Sequence, residues 1–207
     1  MTKVISKLYP TYDRAQAAVK ELESAGVSHS EISIVSNNSD NWYRGNGSTT
    51  TKRVDRDGDG VDDRAEGAGT GAGIGATVGG AAGLLAGLGL LAVPGVAPVV
   101  AAGWLAATAA GMAAGGITGG IIGALTQAGV SDDDAQLYAE SVRRGGTLLT
   151  ARVDDADVTR LETILDRSAL LTSDLRTNYG KTGWKSFDPN AKPYSADEVR
   201  KERSLYR

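Results

Sequence analysis

The chain has 207 residues, 28 of them glycine, with no cysteine, one histidine and a formal net charge of -3. The absence of cysteine excludes a disulfide framework, thiolate metal sites and a cysteine nucleophile. So small a net charge argues neither for nor against nucleic acid, but no basic stripe interleaved with aromatics occurs outside the tail, so no nucleic-acid partner is expected; the length suits one ordinary domain with an insertion or tail.

The opening "MTKVISKLYPTYDRAQ" meets charge within a few residues and lacks an apolar core of signal-peptide length, which predicts a chain that begins in the cytoplasm. Residues 3–9, "KVISKLY", alternate as a strand does. The next run carries Ala15, Ala18, Val19 and Leu22 at helical spacing, with Thr11 as N-cap and Gly26 as stop. "EISIVS" reads as a second strand, so residues 1–36 form a first β-α-β half.

Residues 37–66 read as a polar linker ending in an acidic loop. "DRDGDGVDDRAE" has the spacing of a twelve-residue calcium loop, with Asp55, Asp57, Asp59, Asp63 and Glu66 offering carboxylates and Val61 its carbonyl. A hard cation needs many oxygens about one centre, and Gly60 permits the sharp turn. Asp62 departs from the pattern, and no amphipathic helix precedes Asp55. The other reading is a solvated acidic linker whose Asp-Gly pairs make turns.

Residues 67–130 hold 19 of the 28 glycines and no charged side chain. Two apolar stretches, 69–93 and 98–128, flank "VPGVAP", where Pro94 and Pro98 interrupt a continuous helix. At about 1.5 Å per residue each is long enough for the roughly 30 Å of a bilayer core. Gly75, Gly79, Gly83 and Gly87 form one four-residue ladder, and Gly111, Gly115, Gly119 and Gly123 a second, with Gly116 and Gly120 alongside. Such ladders let helix backbones approach closely. The segment is therefore predicted to be a glycine-zipper helical hairpin, covered by lipid or by other copies of the chain. "GAGIGA" satisfies G-x-G-x-x-A but follows no strand, so no dinucleotide site is expected.

Ser131 with Asp134 resembles a capping box, and Ala135, Tyr138, Ala139 and Val142 give a helical stripe closed by Arg143, Arg144 and Gly145. "TLLTARV" is strand-like, Val158, Leu161 and Leu165 mark an amphipathic helix, and "ALLTSDL" predicts a short last strand, so residues 131–175 supply a helix and a second β-α-β half. From 176 to 207 the tail is basic, with eight Lys or Arg against four acids, and carries Trp184, Phe187 and Tyr194. It reads as a docking segment for an acidic surface, a neighbouring subunit or anionic lipid, or as a disordered end with a short helix capped at Ser195. "GKT" at 180–182 lacks the glycine a phosphate loop needs, because Leu175 stands there. His29 is a turn residue, and no Ser-His-Asp set can be assembled around it. No enzyme activity is expected, and the sequence identifies no small-molecule substrate.

"VISKLYPTYDRAQAAVKELESAGV", "VDDRAEGAGTGAGIGATVGGAAGLLAGLG", "PGVAPVVAAGWLA" and "YAESVRRGGTLLTARVDD" together resemble the general stress protein 17M-like family, the heat-induced stress proteins. The resemblance spans roughly residues 3–170 and implies a bacterial protein raised under stress, with no catalytic residues to carry over. The expected architecture is α+β. In it a ferredoxin-like four-stranded antiparallel sheet with helices on one face, or else an irregular α+β domain, is interrupted by the glycine-zipper hairpin. The expected function is non-enzymatic self-association at or in the membrane, the globular part lying in the cytoplasm. The alternatives are a soluble cytoplasmic homo-oligomer that buries its hairpins between subunits, and a calcium-responsive switch.

Overall fold

The computed structural model describes residues 2–43, 89–93, 96–114 and 120–206. β1 (Thr2–Tyr9), α1 (Tyr12–Ser24) and β2 (Ile32–Asn37) follow the order read from the sequence. Thr11 caps α1 by accepting from the Arg14 amide at 3.4 Å, and Gly26 ends the turn at φ +95°. Ala15, Ala18, Val19 and Leu22 are buried as the stripe requires.

Two strands come next, β3 (Gly89–Val93) and β4 (Ala97–Ala102), followed by α2 (Trp104–Ala114) and α3 (Gly120–Gln127). This corrects the expected helical hairpin: residues 89–93 and 97–102 are strand, and the segment read as a helix from 98 is helical only from Trp104. An uncharged apolar run has no periodicity to separate a buried helix from a buried strand. Val93, Val96, Val99 and Val100 are β-branched and favour the pleated surface. Pro98 is tolerated because β2 has already ended beside it, the last β2 pair being Asn37 with Val99.

α4 (Asp132–Arg143), β5 (Thr147–Asp154) and α5 (Val158–Leu165) match their predicted positions, and Ser131 caps α4 by accepting from the Asp134 amide at 3.2 Å. The expected last strand shrinks to one antiparallel bridge, Leu170 with Leu8, and Thr172 already starts α6 (Thr172–Lys181). Leu175 and Tyr179, four apart on α6, are buried, and burial on one face outweighs the weak strand signal of "LLT". α7 (Ala196–Ser204) closes the chain.

The strands form one antiparallel sheet in the order β1-β5-β2-β4-β3. Helices cover both faces rather than one. On one face Ile5, Tyr9, Ile32, Ile34 and Leu149 meet Leu22 of α1 with Leu161 and Leu165 of α5. On the other, Leu8, Val35, Val99 and Leu148 meet Leu105, Ile121, Leu125, Leu137 and Leu175. Much of the second half of the apolar segment is thus the second core of the domain.

Candidate functional site

The densest charged cluster lies where α7 crosses the corner between α4 and β5. Glu140 is fully buried and bridges Arg143 at 2.7 Å and Arg144 at 2.6 Å, three and four residues on. Arg144 also reaches Glu202 of α7 at 3.2 Å and stacks 4.1 Å from the Tyr179 ring centre, while Arg143 lies 5.5 Å from Tyr194 and 5.9 Å from Phe187. Burial alone would lower the Arg144 pKa, but the Glu140 hydrogen bond and charge outweigh it and the net shift is upward. Burial raises the Tyr179 hydroxyl above its ordinary value, against the lowering effect of its hydrogen bond with Ser141.

Arg203 completes the clamp. It pairs with Asp40 at 2.6 Å and donates to the carbonyls of Gly145 at 2.7 Å and Asn37 at 3.2 Å. Gly145 has φ +109°, and a Cβ there would stand 2.6 Å from Cγ1 of the buried Val199, so only glycine lets α7 lie this close. Ser195 and Glu198 form a complete capping box, whose hydrogen bonds hold the Glu198 carboxyl below its usual range. The tail helix therefore docks on its own domain. Three acids (Glu140, Glu202, Asp40) face three arginines, so the cluster holds the corner together and has no charge in excess for a substrate. In the sequence, Glu140 three and four residues before Arg143 and Arg144 is the signal that reading the arginines as a helix end passes over.

Of the candidate residues singled out in the sequence, Asp55, Asp57, Asp59, Val61, Asp63 and Glu66 lie outside the described residues, as do Gly75, Gly79, Gly83, Gly87, Gly115 and Gly119. Gly111 lies in α2 and Gly123 in α3. The close helix approach falls at Gly120, where a Cβ would come 2.7 Å from the carbonyl oxygen of Ala109 in α2. Among the described residues no group of three acidic or histidine side chains is placed to hold a metal, and no helix is long and apolar enough to cross a membrane. His29 sits in a short 3-10 turn with Nδ1 2.8 Å from Glu23.

The other candidate is a groove of about 500 Å³ along the outer margin of β1. Val4, Ser6 and Lys7 line its floor, Asp134 and Tyr138 one wall, Glu162, Asp166 and Leu171 the other. Lys7 pairs with Asp166 at 2.7 Å and lies 3.8 Å from Glu162. The Tyr138 hydroxyl donates to the Ser6 carbonyl at 3.3 Å, and burial, followed by the charge of Asp134, pushes its pKa up to about 12. The Ser6 hydroxyl is buried without a hydrogen-bond partner among the described residues. An exposed strand margin between such walls suits an extended chain; no nucleophile beside a base is assembled here.

No curated protein and no solved structure matches the chain. A family model does, over residues 4–88, a narrower span than the sequence resemblance. It takes in most of β1, all of α1 and β2, the acidic stretch and the first glycine ladder. Over residues 4–88 the chain matches the model of the heat induced stress protein YflT domain, which is consistent with the general stress protein family that its sequence resembles.

Proposed function

We propose that the chain is a non-enzymatic stress-response protein and acts by associating with further copies of itself, the glycine-rich segment 67–130 being part of the contact. The observation that carries this reading is where the second half of that segment goes. β4 pairs with β2, Val99, Val100, Leu105, Ile121 and Leu125 are buried in the domain, and α2 packs on α3 through Gly120. Gly111 and Gly123 of the second ladder lie in these helices, while the first ladder, Gly75 to Gly87, lies outside the described residues. The matching ladder of another copy is the partner we assign to it. The YflT stress protein family is not a known enzyme family, which supports the non-enzymatic part of this reading. We further read β1-α1-β2 and β5-α5 with the Leu170 bridge as the two halves of a ferredoxin-like unit, supported by the order β1-β5-β2 and by Leu170 on the outer side of β1.

Light scattering coupled to size exclusion, on protein prepared without detergent, tests the proposal. A mass that is a multiple of 21.3 kDa is expected. Gly79→Leu combined with Gly115→Leu reduces it while the circular dichroism of the α+β domain is kept. A detergent-free monomer, or a Gly79→Leu, Gly115→Leu protein whose mass is unchanged, overturns the reading.

A further inference from the structure

Alternate residues of a strand turn their amide and carbonyl groups to opposite sides. Two contacts set the phase in β1. The Leu8 carbonyl accepts from the Leu170 amide at 2.7 Å, and the Ser6 carbonyl from the Tyr138 hydroxyl at 3.3 Å, both on the side away from β5. Val4 and Thr2 continue that outward series, and among the described residues no strand pairs with it. Natural sheets cover or blunt such an edge unless it is used for pairing.

The surface beside it is built for contact. Leu171, 60% exposed, stands at the mouth of the groove, which continues past Leu170 into a second one of about 380 Å³ bounded by Leu205, 66% exposed. Two of the three exposed large apolar side chains among the described residues therefore border one continuous surface. Charge selects the occupant. β1 carries Lys3, paired with Asp155, and Lys7, and no acid, whereas the groove lining holds Asp134, Glu162 and Asp166, which Lys7 and Arg176, the latter 2.6 Å from Asp134, leave with one acid in excess. A basic strand in an acidic groove is self-complementary, as a two-fold contact requires.

We infer that β1 pairs antiparallel with β1 of a second copy about a two-fold axis at Val4, joining the two sheets into one. This rests on the self-association proposed above and gives it a site. In that register Val4 faces Val4 of the second copy and Ser6 faces its Thr2. The Ser6 hydroxyl thereby gains a cross-strand hydroxyl partner of the kind that stabilises strand pairs. Leu171 of each copy closes over the end of the added strand.

The test is sedimentation equilibrium over a range of concentrations on the full chain. The Val4 amide points away from β5, so Val4→Pro deletes no bond of the protein's own sheet and blocks only the added strand. The expected result is a folded Val4→Pro protein whose dissociation constant is weakened by about tenfold or more. Leu171→Glu, at an exposed position, weakens it in the same direction and decides the matter should Val4→Pro fail to fold. Val4→Pro that folds and associates as the wild type does, or unchanged association of Leu171→Glu, overturns the β1 pairing. If the glycine double variant dissociates while these two do not, self-association stands without this site. A monomeric wild type removes both.

Discussion

Glu140→Gln removes one charge from the corner clamp and almost no volume. Glu140 is fully buried, and Arg143 and Arg144 are only 8% and 6% exposed, so water cannot replace the lost carboxylate. Arg144 retains Glu202 at 3.2 Å, but Arg143 is left with the rings of Phe187 and Tyr194 and with a buried Nε that already lacks a hydrogen-bond partner. Breaking a buried pair in this way costs about 3–5 kcal/mol, because an uncompensated charge stays inside. At about 2–4 °C per kcal/mol for a chain of this size, the melting temperature falls by about 6–20 °C. Urea unfolding followed by circular dichroism and by the fluorescence of tryptophans including Trp184, which packs on Tyr179, measures the loss. Glu202→Gln is the internal control: Glu202 is 18% exposed and makes one of these contacts, and its loss costs about 1 kcal/mol or less. A Glu140→Gln protein destabilised by less than about 1 kcal/mol refutes the reasoning, since the pair would then be behaving as a surface ion pair.

Gly103→Ala, between β4 and α2, places a Cβ 2.3 Å from the Ile32 carbonyl at φ +89° and is expected to cost at least about 3 kcal/mol. Gly26→Ala has φ +95° but open space, and costs only about 1–2 kcal/mol; thermal melts separate the two. Stability falls between pH 10 and 12, because the tyrosines ionise in the unfolded chain near 10 but, for Tyr12 and Tyr138, only near 12 in the folded one. Their contribution is complete below pH 10 and is lost as pH rises through the folded value. For Tyr138 the ceiling is about 2.7 kcal/mol, and Tyr138→Phe flattens the alkaline limb of a pH series of urea melts. If Asp55 to Glu66 take calcium, added calcium raises the melting temperature of the wild type but not of Asp57→Ala; no calcium-dependent shift in the wild type removes that reading.

α1, α4 and α5 were legible because each has an apolar stripe at helical spacing, reinforced in α1 by Thr11 and Gly26 and in α4 by Ser131 and Gly145. β1, β2 and β5 alternate or run apolar between turn residues. These signals are local, and the structure keeps them. The same holds for the capping box at Ser195, which the sequence alone placed.

The apolar segment was different. Between Gly67 and Ser131 no charged residue marks which face meets water, so the pattern could not say whether "GLLAV" and "APVVAA" were helix or strand. That was decided by β2, whose free margin offered β4 a ladder of backbone partners, and by Gly103, which alone permits the turn into α2 against the Ile32 carbonyl. The tail was decided in the same way. Its composition made it basic and capped, but its docking depends on Asp40, Asn37 and Gly145, which lie far away in the chain and meet Arg203 only once the sheet has formed. Composition and short-range periodicity thus determined the α+β elements of the two halves and the uncharged segment between them. Long-range backbone pairing and buried charge decided what the second half of that segment became and where the chain ends.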